Sequence, residues 1–214
     1  MLLTAGLSAQ TNFFHEPFDN NKNNWPFLGN HDGYSLAIQN GHLRVESTSN
    51  VIVRTFINPK VDKIDYGLSV EMFLEKGNAD GLIGLCFGMS EDGKDYYSFM
   101  YDNTGFYGVY KNGEEMKLLF GGKEEGLVKR FEYNDLLVVK DGNEYSFELN
   151  HKQIYTTKID NTFGDFIAIK TSAETTVKVN ELNIYNHKRA MELSKNGLDN
   201  LFDGLVFPKK KGGN

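Results

Sequence analysis

The chain has 214 residues, a formal net charge of -6, 16 phenylalanines, 11 tyrosines, 22 glycines and only 4 prolines. That length holds one sizeable hydrophobic core and demands no second, and aromatic residues with many glycines favour strands joined by tight turns. The acidic balance excludes a nucleic-acid partner, because binding phosphate backbones requires basic patches that displace counterions.

In chain order, Met1 to Gln10 reads as the last part of a secretory signal, with Leu7-Ser8-Ala9 ending in small residues before a cut at Gln10. The basic start of such a signal is missing, which predicts a truncated signal remnant over residues 1–12 and an exported protein, periplasmic, on the cell surface or extracellular. The alternative for this segment is a short apolar arm packed on the domain. No apolar run approaches the roughly 20 residues of a bilayer-crossing helix, so no membrane span is expected.

From Phe13 to Tyr185 short alternating runs are separated by turn signals, the pattern of an antiparallel sandwich. Val51, Val53, Thr55 and Ile57 alternate with Ile52, Arg54 and Phe56. Tyr66, Leu68, Val70, Met72 and Leu74 alternate with Gly67, Ser69, Glu71, Phe73 and Glu75, which predicts one buried and one wetter face. Further strands are read at 96–102, 106–111, 136–140, 144–149, 154–159, 166–170 and 175–185, about ten to twelve in all. Asn40-Gly41, Asp92-Gly93, Asn112-Gly113 and Asp141-Gly142 mark hairpin corners. Cys86, the only cysteine, excludes an internal disulfide and lies in a glycine-rich apolar strand, where a buried, inert thiol is expected. After Tyr185 the spacing of Ala190, Met191, Leu193, Leu198, Leu201 and Phe202 turns helical, although Gly197 interrupts it. Residues 187–214 are therefore expected to be a helix or tail that caps the sandwich, docks a protein partner or frays. Lys209 to Lys211 read as a solvated terminus.

Several segments carry a resemblance: Phe18-Asp19-Asn20 with Trp25, Gly41 to Val45, Gly81 to Gly88, Tyr96 to Tyr101 with Gly105 to Tyr110, and Val177 to Ile184. Their order resembles the concanavalin-like and laminin-G-like jelly-rolls of exported bacterial proteins, including the fold used by the 3-keto-disaccharide hydrolase family. The resemblance implies an all-β fold, a two-sheet antiparallel jelly-roll sandwich over residues 13–186, with a short C-terminal helical or irregular segment. It implies little about activity, since one fold hosts many unrelated functions.

A glycosidase on such a scaffold needs two carboxyl groups roughly 5 to 10 Å apart. Glu71 and Glu75 share a strand face, but four residues of strand separate them by roughly 13 Å, with Phe73 between. Jelly-roll glucanases carry alternating acids on the corresponding strand, and the phenylalanine breaks that pattern. The histidines His15, His31, His42, His151 and His187 are scattered singly, without metal-binding spacing, and no Gly-x-Ser-x-Gly elbow or phosphate loop is present. No catalytic residue is assigned and no cofactor is expected. A structural calcium remains a candidate: Glu16 and Asp19 near the first strand would meet Glu181 near the last, where related sandwiches pair those strands.

If Tyr97, Phe99, Tyr101, Tyr107 and Val109 fill the core, then alternation puts Tyr96, Ser98, Met100, Phe106, Gly108 and Tyr110 on the opposite face, floored by Gly84, Cys86 and Gly88. Such a face either stacks sugar rings or is covered as a second small core. The candidate ligand-binding residues are Tyr96, Phe106 and Tyr110, with Trp25 and Arg54 at the rim. The expected function is a non-catalytic binding module with carbohydrate as its ligand. The alternatives are a glycosidase of the 3-keto-disaccharide hydrolase type and a structural domain that docks a protein.

Overall fold

The computed structural model describes residues 12–25, 28–55 and 65–186, and for 12, 13 and 52–55 the backbone alone. The expected signal remnant up to residue 11, the alternating positions Phe56 and Ile57, and the C-terminal stretch from His187 lie outside the described residues.

Among the described residues there is no helix, and none that could cross a membrane. In chain order the strands are β1 (Asn12–Glu16), β2 (Gly29–His31), β3 (Tyr34–Gln39), β4 (His42–Ser47), β5 (Val51–Thr55), β6 (Tyr66–Lys76), β7 (Ile83–Met89) and β8 (Tyr96–Tyr101). They continue with β9 (Phe106–Asn112), β10 (Lys117–Lys123), β11 (Asn134–Asp141), β12 (Glu144–Leu149), β13 (Lys152–Lys158), β14 (Phe166–Thr171) and β15 (Thr175–Asn186). Two antiparallel sheets form a sandwich. The nine-stranded sheet runs β13-β12-β11-β6-β15-β4-β3-β2, with β1 beside β4 on the same flank of β15, and the six-stranded sheet runs β10-β9-β8-β7-β14-β5.

The hydrophobic alternation explains the layering. Leu68, Val70, Met72 and Leu74 of β6 point inward and are buried, while Ser69, Glu71, Phe73 and Glu75 face away. Ile83, Leu85 and Phe87 of β7 and Tyr97, Phe99 and Tyr101 of β8 fill the opposite side of the same core. Aromatic rings tie the sheets together: Phe87 of β7 packs at 5.7 Å on Tyr145 of β12, and Phe99 meets Phe147 edge-on at 5.6 Å. At the open flank, the edge strands β10 and β13 approach through Phe120 stacked on Tyr155 at 4.6 Å.

Turn chemistry sets the register. Asn40 and Gly41, both at positive φ, make the two-residue hairpin between the paired residues Gln39 and His42. Asn150 and His151, at φ 48° and 67°, do the same between Leu149 and Lys152, without the glycine that would have flagged them. The sequence also understates the strand number, since fifteen strands are described. Its pattern does not announce β10, because Gly121-Gly122 interrupts the apolar run there, and the three-residue β2 is too short to leave a pattern.

Candidate functional site

On the outer face of the six-stranded sheet the alternation is as expected, and of the two arrangements left open it is the second small core that forms around Tyr96. Cys86, Met89, Tyr96 and Ala168 make a separate buried cluster against Phe166. Tyr96 and Tyr110 are 7% and 6% exposed, so neither ring offers a free stacking face, while Phe106 is half-buried. Small residues on β7 let Lys170 lie across the sheet: its Nζ donates to the Tyr96 hydroxyl at 3.0 Å and to Asn112 Oδ1 at 3.3 Å, and stands 5.2 Å from the Tyr96 ring centre. Asn112 in turn donates to Ser98 Oγ at 3.0 Å. Gly84 is obligatory here, because a Cβ would strike the Phe99 carbonyl and come within 2.7 Å of the Met100 Cα. Arg54 stands opposite Ala168 in the register, on the same row, and its side chain is outside the described residues.

Trp25 is not at a rim. It lies in the main core, its ring 5.1 Å from Phe18, and its indole N–H donates to Glu16 Oε2 at 2.7 Å. The Glu16 carboxylate also accepts from the Phe18 backbone N–H and from Asn23 Nδ2, both at 2.8 Å, so three donors occupy it inside the fold. Strands β1 and β15 do pair, with Glu16 opposite Leu182, and this register turns Glu16 inward while Glu181, one residue away, faces out to His15 at 3.3 Å. Asp19 is exposed in the following loop. The three candidate calcium ligands are therefore not brought together.

The outer face of the nine-stranded sheet holds what the sequence did not reveal. Glu71 and Glu75 lie there with Phe73 between them, but the carboxylate neighbours of Glu71 come from other strands. Asp135 of β11 is directly opposite Glu71 on one side and Glu181 of β15 on the other. Directly opposed residues have Cβ atoms about 4.5 to 5.5 Å apart. Sheet register thus supplies the close carboxyl neighbours that Glu75, two outward positions along the same strand, cannot.

The segment between β10 and β11 walls this row. Leu127 and Val128 tuck into the core, and Asn134, fully buried, clamps the turn from Lys129 to Glu132. Its Oδ1 accepts from the Lys129 N–H at 2.8 Å and from Asn150 Nδ2 at 2.7 Å, and its Nδ2 donates to the carbonyls of Lys129 and Glu132 at 2.8 and 3.0 Å. Asn150 donates to the Leu127 carbonyl at 2.7 Å, and Arg130 reaches the Thr104 carbonyl in the turn between β8 and β9 of the other sheet at 2.9 Å. The result is an open cleft of about 470 Å³ lined by Glu71, Phe73, Lys129, Phe131, Glu132, Tyr133 and Asp135.

Three rings frame it. Tyr133 packs on Phe73 at 5.5 Å and on His42 at 5.9 Å. Phe131 stands at the lip, 68% exposed and at φ 57°, a backbone conformation that costs a bulky residue strain and that persists where the surroundings enforce it.

Electrostatics divide the face. Beyond Phe73 and Tyr133, a second hollow of about 310 Å³ is lined by His42, Arg44, Glu75 and Lys178 among others, and its charges are paired. Lys178 at 2.5 Å and Arg44 at 3.2 Å hold the Glu75 carboxyl below the usual carboxylate range. In the main cleft the opposite holds. Burial first, then the adjacent Glu71 and Glu181 carboxylates, push Asp135 up to about 6 against the opposing pull of Lys129. Its near neighbour is His151 Nε2 at 3.7 Å, and Glu71 accepts from Asn180 Nδ2. Among the described residues no group of three acids, histidines or cysteines is arranged to hold a metal ion.

No protein-family model matches the chain, and no curated protein matches it. Solved structures share its fold. A protein of unknown function with a galectin-like fold from Bacillus subtilis superposes with a TM-score of 0.60 at 11% identity, covering 83% of this chain and 96% of that one. A chain from the endo-acting O-glycanases that members of the human gut microbiota express gives 0.59 at 13% identity, covering 81% and 98%. The carbohydrate-binding module CBM66 from Bacillus subtilis gives 0.50 at 14% identity, covering 75% and 100%. At these identities the likeness establishes the β-sandwich fold.

Proposed function

We propose that this chain is a glycan-binding module of an exported protein, and that it takes a saccharide into the cleft on the nine-stranded sheet. The observation that carries this reading is the cleft itself, with Phe73, Tyr133 and the exposed Phe131 as stacking surfaces beside Glu71 and Asp135 as fixed hydroxyl acceptors. Sugar C–H faces pack on aromatic rings while a few placed polar groups fix their orientation. The acceptors and Phe73 sit on strands, and Phe131 and Tyr133 on a segment clamped by Asn134, so the site is largely preformed and little ordering cost falls on binding. Carbohydrate-binding folds among the structural neighbours support the ligand class.

A glycan array followed by calorimetry tests the reading. Phe131→Ala and Tyr133→Ala are expected to weaken binding at least about tenfold, about 1.4 kcal/mol each. Leu118→Ala, an exposed change on the other sheet, is expected to leave affinity unchanged. Affinity that survives both aromatic substitutions removes the cleft as the site.

One observation favours a second reading, a glycosidase. Glu71 and Asp135 are directly opposed across β6 and β11, which sets their Cβ atoms about 4.5 to 5.5 Å apart, and Asp135, pushed up to about 6, is suited to act as the acid of a two-carboxylate mechanism. Turnover of a glycan that Glu71→Gln and Asp135→Asn each abolish would establish it in place of simple binding.

A further inference from the structure

We propose that the saccharide selected by this cleft carries a free amine, so that the site prefers a cationic amino sugar over its N-acetylated or acidic counterparts. The proposal rests on the glycan-binding reading: the cleft and its rings make the site, and the surrounding charges decide which sugar it takes.

Asp135, Glu71 and Glu181 form a row of three carboxylates across β11, β6 and β15, and Glu132 adds a fourth on the clamped segment. Like charges directly opposite across strands are destabilising, so a fold that keeps three in line does so against its own stability. Elsewhere on the same face the chain neutralises its acids: Glu75 and Glu46 are bound by Arg44, and Glu75 also by Lys178. Among the described residues no lysine or arginine comes within ion-pair distance of Glu71, Asp135 and Glu132 in the cleft or of Glu181 beside it; the histidines near these acids are His151 at Asp135 and His15 at Glu181. Lys129 lines the cleft without closing on a carboxylate.

The negative field is felt by its neighbours. Burial chiefly raises the Tyr133 hydroxyl, and Glu71 and Glu75 raise it further. An ammonium entering here would meet carboxylates that lack a lysine or arginine partner and ring faces whose quadrupoles attract positive charge. A uronate or sulfated sugar would meet repulsion. Metal chelation does not account for the row, since no three of the described acids, histidines or cysteines are set to surround an ion.

The test is calorimetric titration of the full chain at neutral pH with a glucosamine oligosaccharide and with its fully N-acetylated counterpart of equal length. The expected result is at least about tenfold tighter binding of the free amine. That preference should shrink between about 0.05 and about 0.5 M salt as the charges are screened. The double variant Glu71→Gln/Asp135→Asn should bring the two affinities level through loss of the amine's advantage. Equal or tighter binding of the N-acetylated sugar overturns the amine preference and leaves the glycan-binding reading standing. If neither oligosaccharide nor any glycan on the array binds, the cleft reading itself falls and takes the proposal with it. A calcium-dependent rise in melting temperature that the double variant removes would assign the row to a metal and also overturn the proposal.

Discussion

Replacing Asp135 by asparagine keeps the side chain's shape and removes its charge, and so isolates what the cleft costs the fold. In the folded chain this carboxyl is pushed up from 3.8 to about 6, mainly by burial and then by Glu71. In the unfolded chain it titrates near 3.9. Folding therefore favours the protonated form. Between about pH 4 and about pH 6 the folded state holds a proton that the unfolded state has released, so stability falls as pH rises through that window and the full penalty stands above it. A shift of about two units at ~1.36 kcal/mol each sets a ceiling near 3 kcal/mol. The side chain is 32% exposed, and solvent screening reduces the expected penalty to ~1–2 kcal/mol. For a domain of this size each kcal/mol moves the melting point by about 2–4 °C. Asp135→Asn should thus melt roughly 2–8 °C above the parent at neutral pH and level with it near pH 4. Melts followed by circular dichroism across that pH range decide the matter. A variant no more stable than the parent at neutral pH, or a gain that persists undiminished at pH 4, would refute the reasoning.

Other substitutions probe the supports of the site and the core. Asn134→Ala leaves two carbonyls and the Lys129 N–H without their buried partner, and urea unfolding should register a loss of ~2–4 kcal/mol. Glu16→Ala strips three donors of their acceptor inside the fold, including the Trp25 indole; a loss of ~2–5 kcal/mol is expected, with a change in tryptophan fluorescence. Burial pushes the Cys86 thiol up to about 12 against the pull of Lys170, so an aromatic disulfide reagent should leave the native chain unmodified near pH 8 and react once denaturant is added.

How far the sequence speaks follows from the range over which each feature is encoded. The alternation of Tyr66 to Glu75 is local, and the burial pattern of β6 repeats it from Leu68 to Glu75. The outward turn of Tyr96 and Ser98 is equally legible from the core positions of Tyr97 and Phe99. What that outer face does is not legible, because its closure depends on Lys170, far along the chain, reaching across the small residues of β7 to Tyr96 and Asn112. Trp25 likewise reads as a rim residue from its loop setting, whereas the Glu16 carboxylate, buried nine positions earlier, holds its indole inside.

The cleft is hidden for the same reason, more strongly. Glu71 is visible as an outward acid, but only the pairing of β6 with β11 and β15 gives it carboxylate neighbours, and strand registry is a property of the folded sheet. One local hint exists: Phe131 to Asp135 mixes two rings, two acids and an asparagine where a strand begins, a composition ill suited to a plain connection. The folded chain explains the mixture, since Asn134 and Asn150 spend their amides closing the end of the sandwich and thereby hold Phe131, Tyr133 and Asp135 around the opening. The same hydrogen bonds complete the core and shape the cleft. Changes at the two asparagines should therefore move stability and ligand affinity together, whereas changes at Phe131 and Asp135 should separate them, because those two side chains line the opening at a cost to the fold in strain or charge.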